Sequence, residues 1–328
     1  MQMQSPRPRV TSAAHRLLLA LCGGLVFANL SLGQDAARKK AVVEEKTLVT
    51  KDGLDLRITY FQAEGGEDSP VVVLLHGRAG NRLVWKNFAT KLQQENYAVI
   101  SVDLSGHGES KSRNPKTAST GGGKADESLR AADYQAMVAL DLEAVKNFIF
   151  EEHQKQRLNM AKMAIAGADF STTVAVAFTN FDWRKEPYDD AAVPELQTPR
   201  GQDVKALILL SPEDHAPGLL VSQSLAQMKA VQFPVMIGYG KGDTFDKGAA
   251  KKVYELLVPK KLRNSPEPYV YLMEYDVKLR GTDLLNRPDG KVELNMFNFL
   301  EQHLKSLNIS WRDRRSREDR ENEDENKK

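Results

Sequence analysis

The segment that decides the fold is Val71-Val-Val-Leu-Leu-His-Gly-Arg-Ala-Gly80. Its five consecutive apolar residues, three of them β-branched, are typical of a strand buried on both faces of a parallel sheet. A polar, glycine-containing turn follows at once, and a helical spacing of apolar residues comes after it, at Leu83, Trp85, Phe88, Ala89 and Leu92. The pattern therefore predicts a buried strand, a turn and an amphipathic helix.

Strand-like and helix-like segments alternate on both sides of this unit. Upstream, residues 47–50 and 54–61 flank Lys51-Asp52-Gly53, a pattern typical of a β-hairpin. Downstream, strands are predicted at 97–102, 160–166, 204–210, 233–238 and 269–273, with helical segments between most of them. A hairpin followed by this alternation predicts a mostly parallel sheet of eight strands with helices on both faces.

The first 33 residues have the three-part pattern of a secretory signal peptide. Three arginines precede an apolar run over residues 17–30, and Ser31 and Gly33 supply small residues for cleavage after Gly33. The run is shorter than the roughly 20 apolar residues that a membrane span needs, which disfavours an uncleaved anchor. We therefore expect an exported protein of the periplasm or cell envelope, or a secreted one, with no transmembrane span after cleavage.

The composition excludes several classes of protein. Net charge is +2 and no basic stripe is present, which disfavours binding of nucleic acid. The only cysteine, Cys22, lies in the predicted signal peptide, so the mature chain would have neither a disulfide nor a zinc–thiolate site. Export without disulfides favours a bacterial envelope protein. No spacing typical of a metal loop is found, and we expect neither a metal nor a cofactor.

Composition also divides the chain. Residues 34–45 are charged and small, which predicts a flexible leader before a single folded domain over 46–308. Residues 309–328 are almost wholly charged, so they cannot bury much apolar area and are predicted to be a disordered tail. A polar, Gly-rich stretch over 105–129 is predicted to be a surface loop.

Three motifs follow predicted strands in order: His76-Gly77, Asp103-Leu-Ser-Gly-His-Gly-Glu-Ser110 and Gly167-Ala-Asp-Phe-Ser171. In this order they resemble the α/β-hydrolase family over residues 46–308. The resemblance implies the α/β-hydrolase fold, with a nucleophile elbow of pattern Gly-x-Ser-x-Gly at the third motif. The chain between Leu210 and Phe233 is too short for a large cap domain.

The resemblance also implies a serine nucleophile, a histidine base and an acid, and two of these three are replaced. Asp169 stands at the nucleophile position, flanked by the small residues Gly167 and Ser171 that the tight turn requires. Arg280 stands where family members carry the histidine, and Asp243 keeps the acid. The triad positions therefore read aspartate, arginine and aspartate.

These replacements change what the site can do with a proton. Arginine stays protonated and has no acceptor lone pair, so it cannot act as a general base at neutral pH. An aspartate can attack carbon, but its ester intermediate must then be hydrolysed by an activated water. Haloalkane dehalogenases and epoxide hydrolases use aspartate here, but both need the late histidine and carry a cap domain. By the same resemblance, the backbone N–H groups of Arg78 and Phe170 would form the oxyanion hole.

The remaining histidines offer one candidate for a replacement base. His215 lies in a loop at the same end of the predicted sheet as Asp169, although an exposed loop histidine is the favoured interpretation. His76 and His107 belong to motifs that brace loops, and His153 and His303 fall at helix ends, where we expect them at the surface.

Three functions stay open. The favoured hypothesis is a pseudoenzyme of ester-hydrolase ancestry that binds an unidentified small molecule or protein partner, with Arg280 bridging Asp169 and Asp243 in an ion network. The second is an active hydrolase of ester-type substrates that uses Asp169 with His215 or water as an atypical base. The third is a purely structural envelope protein.

Overall fold

The computed structural model describes residues 41–113, 129–263, 265–266 and 268–326. The strands are β1 (Val43–Val49), β2 (Asp55–Phe61), β3 (Pro70–Leu75), β4 (Ala98–Val102), β5 (Asn159–Ala168), β6 (Val204–Leu210), β7 (Val235–Gly240) and β8 (Val270–Tyr275). The α-helices are α1 (Lys86–Gln94), α2 (Ala131–Ala136), α3 (Leu142–Gln154), α4 (Ser171–Trp183), α5 (Val221–Ala230), α6 (Ala249–Leu257), α7 (Lys291–Leu300) and α8 (Arg317–Asn326). A π-helical turn, Met137–Asp141, joins α2 to α3. None of the helices in this part of the chain has the length and apolar character that a bilayer span needs.

The strands form one sheet in the order β1-β2-β4-β3-β5-β6-β7-β8. The hairpin strands β1 and β2 pair antiparallel to each other, and β2 pairs antiparallel to β4. The strands from β4 across to β8 are parallel neighbours. The predicted fold class, a mostly parallel eight-stranded sheet with flanking helices, is confirmed.

The unbroken apolar sequence of strand β3 is explained by its burial on both faces. Val71, Val73 and Leu75 belong to the core under α3, α4, α5 and α6, whereas Val72 and Leu74 face the core under α1 and α7. All five are buried, so neither face of the strand tolerates a polar residue. Full burial of one such side chain stabilises the fold by about 1.5–3 kcal/mol.

The connection from β6 to β7 bears on the expected absence of a cap. Residues 211–234 contain one helix of ten residues, α5, and otherwise only turns and one isolated β-bridge between Ala216 and Leu219. This connection has no room for a large cap domain, as the sequence predicts.

Three predicted segments lie wholly or mostly outside the described residues. The signal peptide over 1–33 and the first part of the leader, 34–40, are among them, as is most of the Gly-rich loop. Within the leader, however, β1 already begins at Val43, and Val43 lies opposite Phe61 of β2. The sequence does not indicate this start because β1 is an edge strand in which three charged residues, Glu44, Glu45 and Lys46, follow Val43, and charged side chains are common on edge strands.

The carboxyl-terminal segment packs on the domain, in contrast to the disordered tail expected for 309–328. Trp311 Nε1 donates to the carbonyl oxygen of His153 over 2.8 Å, and His153 Nε2 lies 2.9 Å from the Arg312 carbonyl oxygen. Arg314 is 4% exposed and its Nη1 lies 2.5 Å from Asp203 Oδ1. His153 is therefore buried, not at the surface. A few anchored side chains hold the segment, and neither composition nor periodicity reveals such contacts.

Candidate active site

Asp169 lies at the turn between β5 and α4, the position of a nucleophile elbow. Its φ is +51°, a left-handed conformation that aspartate tolerates better than most residues. Small neighbours make the turn possible, because a Cβ on Gly167 would lie 2.9 Å from the Ser171 carbonyl oxygen. The Ser171 hydroxyl accepts from the Ala168 N–H over 2.9 Å and so closes the turn. The sequence therefore folds here into the strained strand-to-helix turn that the third motif predicts.

The Asp169 carboxylate fills a narrow slot between two glycines. A Cβ on Gly77 or on Gly281 would lie 2.4 Å from Asp169 Oδ2. The backbone N–H of Arg78 donates to the same oxygen over 3.1 Å. Arg280 Nε lies 2.9 Å from Oδ1, and since Oδ1 accepts no hydrogen bond among the described residues, this contact is an ion pair.

Arg280 joins the two triad-position carboxylates. Its Nη1 donates to Asp243 Oδ2 over 2.9 Å, while its Nε faces Asp169. Asp243 lies in the turn after β7, is 8% exposed, and also accepts the Phe245 N–H over 2.8 Å. One guanidinium thus bridges both carboxylates, as the sequence suggested.

Glu213 completes the network at its outer side and was not singled out from the sequence. Arg78 Nη2 lies 2.6 Å from Glu213 Oε1, and Arg280 Nη2 lies 3.4 Å from the same oxygen. The position of Glu213 in the sequence could have identified it. Glu213 lies two residues after the turn that ends β6, at the same carboxyl end of the parallel strands as Asp169. Three carboxylates and two guanidiniums therefore form one ion network.

Of the two backbone N–H groups expected to form an oxyanion hole, that of Arg78 is already engaged. The Arg78 N–H bonds to the Asp169 carboxylate, so it does not point at open space. Phe170 follows in the turn with a fully buried ring, stacked on His107 at 5.1 Å between centroids. The Asp169 carboxylate therefore occupies one of the two donors that the sequence assigns to an oxyanion hole.

The first two motifs serve to hold loops. His76 Nε2 accepts the Leu104 N–H over 3.3 Å, which leaves its Nδ1 to donate to the Gly77 carbonyl oxygen over 2.9 Å. The buried Asp103 carboxylate accepts the Arg82 N–H over 2.6 Å and pairs with the Arg82 guanidinium over 2.5 Å. These contacts explain the motifs structurally.

His215 lies apart from this network. Its side chain is 89% exposed, and its Nδ1 lies 2.7 Å from Asp214 Oδ1. Asp214 also pairs with Lys252. In the part of the chain that the structure describes, no hydrogen bond or ion pair joins His215 to Asp169.

The electrostatics of Asp169 follow from burial. Burial raises the pKa of Asp169 from 3.8 to about 6, while the Arg280 charge and the Arg78 N–H act in the opposite direction. The removal of the carboxylate from water therefore raises the pKa of Asp169 by more than the ion pair with Arg280 lowers it. The group is still mostly ionised at neutral pH, but the Arg280 guanidinium beside it cannot accept a proton from water.

Comparisons with known proteins agree with this geometry. The family model for the α/β-hydrolase fold matches residues 70–232. An esterase of Pyrococcus furiosus has a TM-score of 0.55 at 16% identity, covering 80% of this chain and 93% of its own. A dienelactone hydrolase from Anabaena variabilis has a TM-score of 0.53 at 15% identity, covering 80% and 99%. An α/β hydrolase from Penicillium has a TM-score of 0.52 at 14% identity, with the same coverage.

Among curated protein sequences no significant match is found. At such low identities the solved structures show a shared fold and not a shared substrate. The sheet order, the elbow after β5 and the family-model match point to one relationship. This chain has the α/β-hydrolase fold, and its residues 70–232 match the family of that fold.

Proposed function

We propose that this protein is an exported, non-catalytic α/β-hydrolase homologue that binds a small molecule or protein partner at its former active site. The observation that carries the proposal is the position of Arg280, which bridges Asp169 and Asp243 at 2.9 Å each. A hydrolase of this fold needs an acceptor lone pair there to activate water. A guanidinium has none, so the bridge replaces catalysis by a fixed ion pair.

The second candidate is an active hydrolase of ester-type substrates, with Asp169 as nucleophile. One observation favours it, because a pKa of about 6 leaves the carboxylate mostly ionised at neutral pH. Attack on an ester would, however, produce an intermediate that needs an activated water. His215 is exposed and paired with Asp214, and Arg280 supplies no base, so turnover would depend on an unassisted water.

The test is hydrolysis of short-chain aryl esters by the wild-type protein and by the double variant Asp169→Ser/Arg280→His. We expect no turnover by the wild type and slow but repeated turnover by the double variant, because serine and histidine restore a nucleophile and a base beside Asp243. The single variant Asp169→Ser is the matched control, since it has the nucleophile without the base and should stay inactive.

Two outcomes would contradict the proposal. Repeated turnover by the wild type would establish an active enzyme, and loss of that turnover in His215→Ala would assign the base. Inactivity of a correctly folded double variant would remove support for the assignment of the triad positions.

Export is the part of the proposal that rests on the amino-terminal sequence alone. Cleavage after Gly33 would remove the basic start and the apolar run and leave Gln34 as the first residue. Mass spectrometry of the protein from the envelope fraction of a bacterial expression host should show this mature chain. An unprocessed chain in the cytosolic fraction would contradict export.

A further inference from the structure

A second cleft lies at the opposite end of the sheet from Asp169. Met160, the second residue of β5, forms part of its wall, whereas Asp169 follows the last residue of that strand. At about 3.3 Å per residue, the two positions are about 30 Å apart along the strand. The cleft has a volume of about 220 Å³ and lies between α3, the loop around Arg200, and the carboxyl-terminal segment.

The lining of the cleft is strongly basic. Besides polar and apolar side chains, it contains one carboxylate, that of Glu143. It also contains four cationic side chains, those of Lys146, Lys185, Arg200 and Arg314. Whether such a cleft attracts an anion depends on how many of these charges are compensated within the protein.

Two of the cations are compensated by buried aspartates. Lys146 pairs with Asp182, and its Nζ lies 2.8 Å from Asp203 Oδ2. Arg314 Nη1 lies 2.5 Å from Asp203 Oδ1. All four of these side chains are at most 6% exposed. The two cations and the two carboxylates form a neutral buried network at the base of the cleft.

A third cation is compensated by the carboxylate in the lining. Lys185 Nζ lies 2.6 Å from one Glu143 carboxylate oxygen and 2.7 Å from the other. This pair is also neutral. Its hydrogen bonds hold Glu143 toward Lys185, so this carboxylate adds no uncompensated negative charge to the cleft.

Arg200 is the cation that remains. Its side chain is exposed, and within the described residues its guanidinium has neither an ion pair nor a hydrogen bond. The guanidinium carbon lies 5.0 Å from the centre of the Tyr188 ring, a distance typical of a cation–π contact. The Arg200 carbonyl oxygen accepts from Lys146 Nζ over 3.0 Å, which fixes the backbone. The ring and the backbone bond therefore hold a guanidinium whose donor edge is unused.

We propose that this cleft binds a small ligand through a carboxylate or phosphate group held by Arg200. A guanidinium presents paired donors that match two oxygens of such a group, and its charge is the uncompensated one in the cleft. Phe150 and Met160 line the same space and offer apolar contact for a short carbon skeleton. The volume of about 220 Å³ limits the ligand to a small molecule. This site is independent of the former active site.

The experiment is calorimetric titration of the full mature protein with inorganic phosphate and, separately, with acetate, at constant ionic strength. We expect saturable binding of at least one anion at one site per chain. Arg200→Gln should weaken it about 10-fold or more, because a charge-assisted hydrogen bond is lost. The anion that shows the larger loss identifies the preferred group, phosphate or carboxylate.

Arg184→Gln is the matched control, because Arg184 is also an exposed arginine but is not in the lining of this cleft. It should leave the affinity unchanged, whereas Arg200→Lys should retain part of it through charge alone. Absence of saturable binding of both anions would overturn the proposal. So would equal affinity of wild type and Arg200→Gln, or an equal loss in Arg184→Gln, which would indicate general surface charge.

Discussion

Replacing Arg280 by glutamine is expected to lower the free energy of unfolding by about 3 kcal/mol. The guanidinium lies 2.9 Å from oxygens of both Asp169 and Asp243, whose side chains are 8% and 2% exposed. Without it, two buried carboxylates face each other with no cation between them, and neither can be fully solvated. Glutamine can donate to one carboxylate but cannot neutralise either. Urea denaturation at pH 7 measures the loss.

Arg287→Gln is the matched control for this prediction. Arg287 lies seven residues further along the chain and pairs with Asp289 at the surface over 3.6 Å. An exposed pair of this kind contributes about 1 kcal/mol or less, so this variant should unfold almost like the wild type. Adding Asp169→Asn to Arg280→Gln should restore part of the lost stability, because one uncompensated charge disappears. Equal stability of Arg280→Gln and wild type would contradict the ion network.

The fold could be predicted from the sequence because its signals are local and repeated. The unbroken apolar run of β3 reports burial on both faces, and the small residues Gly167 and Ser171 report the tight turn after β5. The place of Asp169 in that turn follows from the same pattern. Signals of this kind need only neighbouring residues, so the sequence contains them in full.

The rest of the site depends on contacts between distant loops. Glu213 is 135 residues from Arg78 in the chain, and no periodicity marks the pair. The same holds for Arg314 and Asp203, which are 111 residues apart and anchor a segment that composition alone predicts to be disordered. A charged residue in a loop has the same local sequence whether it is solvated or buried beside a partner, so only the fold distinguishes these cases.

A second large effect is expected in the pH dependence of stability. Relative to Asp169→Asn, the wild type should lose about 2 kcal/mol of unfolding free energy between pH 4 and pH 7. Asparagine has the same shape, tolerates a positive φ and keeps an acceptor for the Arg78 N–H, but it does not titrate. The comparison therefore isolates the Asp169 carboxyl from all other groups.

The direction follows from the pKa of Asp169, which burial raises from 3.8 to about 6 in the folded protein. Between these values the folded state retains a proton that the unfolded state releases, so protonation favours the fold. This contribution is complete below about pH 4 and is lost as the pH rises through 6. Urea denaturation of both proteins at pH 4, 5, 6 and 7 gives the difference at each pH. A difference that stayed constant with pH would mean that Arg280 offsets the cost of burying the ionised carboxylate, and a difference that rose would mean that it outweighs that cost. The ion bridge would then be a net source of stability at neutral pH, whereas a falling difference would mean that the protein retains it at a cost to stability.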